Sequence, residues 1–88
     1  MMKENETILV IDDEKQIRRL LDITLSASGY KVILSANGKE GLVDAATQHP
    51  SLILLDLGLP DIDGQEILKK LREWFQKPII ILSVRDSE

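Results

Sequence analysis

The sequence predicts an α/β fold built on a doubly wound sheet of parallel strands, and three observations carry that prediction. Short apolar runs rich in β-branched residues alternate with stretches of helical period. Successive runs are far enough apart for a helical crossover, which selects parallel pairing and a right-handed connection. Three of the four runs end in acids or a hydroxyl, at Asp12-Asp13, Asp56 and Ser83. Open α/β sheets hold their ligands there, beyond the carboxyl ends of the strands.

The first run, residues 8–11 (ILVI), has the pattern of a strand covered on both faces, and it ends at Asp12-Asp13. From Glu14 the period changes, and Ile17, Leu20, Leu21, Thr24 and Leu25 mark one side of a helix that Gly29 is placed to stop. Residues 30–36 read as a second strand. Asn37-Gly38 is a hairpin signal by itself, but Leu42, Val43, Ala45 and Ala46 follow with a helical pattern. Asn37 is therefore the expected N-cap, with Glu40 three residues on. Pro50 closes that helix, Leu52–Leu55 is the third strand, and residues 56–63 form a loop that holds two more acids, Asp61 and Asp63. Asp63 caps a third helix whose Ile67, Leu68, Leu71, Trp74 and Phe75 share a face, with Glu66/Lys70 and Lys69/Glu73 at supportive spacing. Pro78 breaks it, and Ile79, Ile80, Ile81 and Leu82 form the fourth strand, ending at Ser83.

The totals bound the function. The 88 residues make one small domain at most, with 43% apolar and 30% charged residues and no low-complexity tract. Fifteen acids against eleven bases give a net charge of -4 without a Lys/Arg cluster, which makes this segment a poor nucleic-acid binder by itself and favours a cation or a basic partner. There is no cysteine for a disulfide or thiolate metal site. No stretch approaches the roughly 20 apolar residues of a membrane span, and the N-terminus has no long apolar signal region, so a cytoplasmic location without a membrane partner is expected. The fourth run looks like an interior strand, yet only VRDSE follows it. The sequence is thus expected to stop before its sheet is complete, leaving an edge open to pairing or exchange with a second copy through Ile79 to Leu82.

Three acids aimed at one sheet edge repel one another, by about 1 kcal/mol per pair at 4 Å even at water's dielectric constant. A divalent cation reverses that sign, and hard oxygen donors with room for water suit Mg²⁺ or Mn²⁺. One carboxylate could then act as a nucleophile toward phosphorus. The plainer alternatives are that Asp13 caps the first helix in a capping box with Gln16, that Asp56 is a solvated loop acid, and that Ser83 is a turn residue. His49, beside Pro50, reads as a surface residue at a helix end, and Trp74 and Phe75 read as core.

VIDDE after the first strand, LLDLGLPDIDG after the third and IILS after the fourth resemble, in order and spacing, the receiver domain of two-component response regulators. The resemblance covers residues 7–88 and leaves residues 1–6 as an N-terminal extension. It implies a flavodoxin-like fold of strand order 2-1-3-4, here without the fifth strand and last two helices. It also implies phosphoryl transfer from a sensor histidine kinase to an aspartate. By position, Asp56 would be the phosphoacceptor, and Asp13 and Asp56 would give carboxylates to Mg²⁺. Gly58 would offer its backbone carbonyl, Asp12 would act mainly through a metal-bound water, and Ser83 would be the switch hydroxyl. Within the family, DLGLPDIDG, Leu71-Arg72-Glu73-Trp74 and PIIILS are most similar to regulators of potassium-transport (Kdp) operons, of the winged-helix transcription-factor class. That similarity implies a DNA-binding output outside these residues. The family's fifth-strand lysine has no counterpart here, and Val84 stands where Ala or Gly is usual.

Two rivals remain. An aspartyl-nucleophile, Mg-dependent phosphohydrolase would need a second acid two residues after its nucleophile, where Lys15 and Gly58 stand. A phosphorylation-incompetent interaction module would keep the fold without the chemistry. No glycine-rich nucleotide-binding motif is present.

Overall fold

The computed structural model describes residues 6–82. In chain order the elements are β1 (Thr7–Ile11), α1 (Lys15–Ala27), β2 (Lys31–Ser35), α2 (Gly38–Gln48), β3 (Leu52–Leu55), α3 (Gly64–Arg72) and β4 (Ile79–Ile81). The four strands form one parallel sheet in the order β2-β1-β3-β4. This is the doubly wound arrangement that the alternating runs predict.

The apolar runs are continuous because the central strands are covered on both faces. Leu9, Ile11, Ile53 and Leu55 point to the side of α2 and α3, where they meet Ala45, Ile67, Leu71 and Phe75. Ile8, Val10 and Leu54 point to the other side, where Leu21 and Leu25 of α1 pack on them. Full burial of each large apolar side chain contributes about 1.5–3 kcal/mol. The thicker layer therefore anchors the α2–α3 face, and α1, which has no buried residue, is the lighter attachment.

Three helix expectations need correction. On α1, Leu20 and Thr24 are exposed, because the helix meets the sheet along the narrower stripe of Leu21 and Leu25. On α2, Val43 and Ala46 are exposed, and the buried face is made by Gly38, Gly41 and Ala45. Close approach decides this: a Cβ on Gly41 would lie 2.6 Å from Ile11 Cδ1, so small residues rather than bulky ones let α2 rest on β1. The third helix ends at Arg72, well before Pro78. The Arg72 guanidinium donates to the carbonyls of Phe75 and Lys77, supporting a non-helical exit. That exit buries Phe75 but leaves Trp74 48% exposed, so Trp74 is not core.

Other punctuation is as the sequence indicates. Gly29, at φ 96°, ends α1: its N–H donates to Ser26 and the Tyr30 N–H to Leu25, the double closure that a left-handed glycine permits. Asn37 caps α2 by accepting from Glu40 N–H at 2.9 Å, and Asp63 caps α3 by accepting from Gln65 N–H at 3.0 Å. His49, exposed and left-handed at φ 51°, is the C-cap of α2. Among the described residues the fourth strand, three residues long with Ile80 half exposed, lies at the edge of the sheet. Among the described residues, no helix is long and apolar enough to cross a membrane.

Candidate functional site

The register of β1 and β3 places the site. Ile11 is paired with Leu55, and the Asp56 N–H donates to the Ile11 carbonyl at 2.9 Å, so the residues after both strands emerge side by side. On the far side of β1, the Asp12 N–H donates to the Ser35 carbonyl at 3.1 Å. Asp12 is 3% exposed and Asp56 2%, whereas Asp13 is exposed. One carboxylate oxygen from each of Asp12, Asp13 and Asp56 lies within 4.8 Å of the others.

Local bonds aim two of these groups. The Glu14 N–H donates to Asp12 Oδ1 at 2.8 Å, and the Gly58 N–H donates to Asp56 Oδ1 at 3.0 Å. The N-cap of α1 is Glu14, without a side-chain cap, so the capping-box reading of Asp13 with Gln16 does not hold. Asp13 instead projects with the cluster. Burial pushes the Asp12 carboxyl above the usual carboxylate range; the Glu14 N–H opposes this, while the charges of Asp56, Glu14 and Asp13 add to it. The cluster carries electrostatic strain that a hard cation would relieve, and its all-oxygen donor set fits Mg²⁺ or Mn²⁺. A cleft of 320 Å³ opens beside it, walled by Asp12, Glu14, Asp56, Leu20 and Leu82.

Gly58 sits in the loop beside Asp56, in contact with it through the N–H just described. Ser83 and Val84 lie outside the described residues. The preceding residue can be placed: Leu82 N–H donates to the Leu55 carbonyl at 2.9 Å, so the chain leaves β4 next to Asp56.

Two contributors gave no signal in the sequence. The Arg18 guanidinium donates to the Asp12 carbonyl at 2.8 Å, bracing the β1–α1 turn from one helical turn away. Asp61 accepts from the N–H groups of Gly38 and Lys39 at 2.8 and 2.9 Å, joining the loop after Asp56 to α2. Both contacts depend on tertiary placement, and no local motif announces them.

Parallel order, crossover helices and an acid cluster at the carboxyl ends of β1 and β3 define a doubly wound domain with a strand-end acidic site, and the family comparison gives it a phosphoacceptor signalling role: the pattern of the response regulator receiver domain matches residues 8–88. The chain belongs to that family, whose members are regulatory modules rather than enzymes, which sets aside the phosphohydrolase rival. It is 46% identical over 81 residues to the KDP operon transcriptional regulatory protein KdpE of Escherichia coli (strain K12), covering 92% of this chain and 36% of that protein. It is 47% identical over 87 residues to the alkaline phosphatase synthesis transcriptional regulatory protein PhoP of Bacillus subtilis, covering 96% of this chain and 35% of that one. The chain thus spans about a third of the length of these curated relatives. Among solved structures, the receiver domain of Francisella response regulator 1452 superposes with a TM-score of 0.86 at 34% identity, over 94% of this chain and 69% of that one. The BeF3-activated receiver domain of Klebsiella pneumoniae RstA gives 0.87 at 29% identity, over 94% and 71%.

Proposed function

We propose that Asp56 accepts a phosphoryl group from the phosphohistidine of a sensor histidine kinase, within a receiver unit of residues 7–88 preceded by an extension of residues 1–6. The observation that carries this is the convergence of Asp12, Asp13 and Asp56 within 4.8 Å, two of them buried, at adjacent strand ends. Mg²⁺ would be held by the carboxylates of Asp13 and Asp56 and the backbone carbonyl of Gly58, with Asp12 acting through water; Mn²⁺ suits the same donors. When bound, the cation neutralises charge on the cluster and on the incoming phosphoryl oxygens.

The chain's own part is positional. The Gly58 N–H holds one oxygen of Asp56, leaving the carboxylate at a fixed angle at the tip of β3. A carboxylate oxygen attacks phosphorus; the P–N bond to the kinase imidazole breaks, its electron pair returns to nitrogen, and an acyl phosphate forms on Asp56. Ser83 is assigned as the hydroxyl that turns toward the new phosphoryl group. By similarity to the Kdp regulators, the signal would come from a potassium- or turgor-linked sensor kinase, reach this domain in the cytoplasm and pass to a DNA-binding region outside these 88 residues.

Incubation with a small-molecule phosphodonor and Mg²⁺, followed by intact-mass measurement, tests the assignment. A single labile phosphoryl adduct, absent in Asp56→Asn, is expected. A wild-type chain that takes up no phosphoryl group would overturn it in favour of an interaction module.

A further inference from the structure

We propose that Asp61 is a positioning residue for the phosphoacceptor site: by fastening the loop that carries Gly58 to the amino terminus of α2, it sets how tightly that site receives a cation. The proposal rests on the Asp56-centred function above.

Asp61 makes an unusual pair of contacts for a loop acid. Its two carboxylate oxygens accept separately from the N–H groups of Gly38 and Lys39, the first two residues of α2, across 23 and 22 residues of sequence. Helix N-termini leave such donors without intrahelical partners, and water ordinarily serves them. The helix already has its own cap in Asn37, which takes the Glu40 N–H. Asp61 therefore adds a tie between two segments instead of supplying a missing cap. Its carboxyl is held below the usual range by these same two N–H groups, so it stays ionised in its role.

The steric evidence is independent. A Cβ on Gly38 would lie 2.5 Å from Ile67 Cδ1 and 3.2 Å from both Asp61 Oδ1 and Ile62 Cβ. Glycine at position 38 makes room for the loop to sit against α2. The loop itself is fixed at its base, where Gly64 N–H donates to the Leu57 carbonyl at 3.3 Å, and by the burial of Leu59. Asp61 fixes the middle of the loop against α2. Gly58, whose N–H holds Asp56, lies in the same closed loop three residues before Asp61, so the Asp61 tie adds to these anchors in holding the segment that aims the site.

Outer-shell partners of a metal site are worth about 10–100-fold in affinity. Asp61 acts through backbone, so the expectation for Asp61→Asn is the low end, about tenfold weaker Mg²⁺ binding by titration calorimetry. Asn37→Ala is the matched control, since it removes a cap from the same helix but leaves the tie: its melting temperature should fall with Mg²⁺ affinity unchanged. Equal, wild-type affinities in both variants would make Asp61 a structural cap only and overturn the proposal. A wild-type chain that binds no Mg²⁺ would instead overturn the underlying site. Should Asp61→Asn fail to fold, the wild type still decides. Coupling is reciprocal, so Mg²⁺ must slow hydrogen exchange of the Gly38 and Lys39 amides if Asp61 transmits it. Unchanged exchange there sinks the idea.

Discussion

Asp12 and Asp56 are brought together by a single backbone hydrogen bond at the end of a strand pair, Asp56 N–H to the Ile11 carbonyl, one step beyond the Ile11–Leu55 register. Two buried carboxylates thereby face each other: burial raises the pKa of Asp12, and the charge of Asp56 adds to that rise against the opposing Glu14 N–H. Such an arrangement is stabilised when a cation or a proton arrives, and that fixes the sign of the first prediction.

Mg²⁺ should raise the melting temperature. At ten times the dissociation constant the linkage is worth about 1.4 kcal/mol, or roughly 6–11 °C for a domain of this size. Asp13→Asn should melt higher than wild type without metal, because a like charge has gone, and should lose the Mg²⁺ response. A thermal scan with and without millimolar Mg²⁺ checks both; a full response in Asp13→Asn would remove Asp13 from the ligand set.

The sheet was legible because its strands are apolar on both faces and separated by helical periods, and the cluster was legible because strand-end acids are conspicuous after such runs. What escaped had no periodic signal. Gly38 and Gly41 face the core of α2 where a search for large apolar residues finds Val43 and Ala46 instead. Trp74 continues the stripe of α3 in sequence, but the helix ends before reaching it. Arg18 braces the turn before its own helix and Asp61 acts across the fold, each through a backbone partner that no periodic spacing marks.

Asp61 also predicts a pH dependence. A carboxyl whose folded-state pKa lies below its unfolded value contributes stability above the ordinary carboxylate range, and loses it as pH falls through the folded value. Asp12, with its pKa raised, contributes the opposite slope, losing stability as pH rises through its window. The two partly cancel in the wild type, so the difference between wild type and Asp61→Asn isolates Asp61. The wild-type advantage in melting temperature should shrink on acidification below the ordinary carboxylate range; a constant difference would show that the Asp61 charge has no part in the tie.

Gly41 tests the packing of α2 on β1. Alanine is the better helix former by about 1 kcal/mol, but its Cβ would fall 2.6 to 2.9 Å from three side-chain carbons of Ile11. Overpacking of that kind typically costs about 1–3 kcal/mol. Gly41→Ala should therefore lower the urea midpoint, and adding Ile11→Val, which removes the nearest carbon, should restore part of it. A stabilised Gly41→Ala would mean that α2 shifts outward freely.

The edge of β4 offers the last test. Its outer backbone groups border a strand of three isoleucines, with Ile80 50% exposed and Ile81 also exposed. Among the described residues no strand pairs on the far side of β4; an edge left open in that way templates pairing with another chain, and a charged side chain on the edge is the usual protection. Two copies related by a two-fold axis would align β4 antiparallel to its counterpart. Three residues bury little area, and the net charge of -4 on each copy opposes the approach. The pairing should accordingly be weak, strengthened by salt that screens the repulsion. Sedimentation equilibrium should detect concentration-dependent association that rises with ionic strength and disappears in Ile80→Lys, which places a charge on the shared edge while leaving the acid cluster untouched. Association that survived Ile80→Lys unchanged would exclude β4 as the contact.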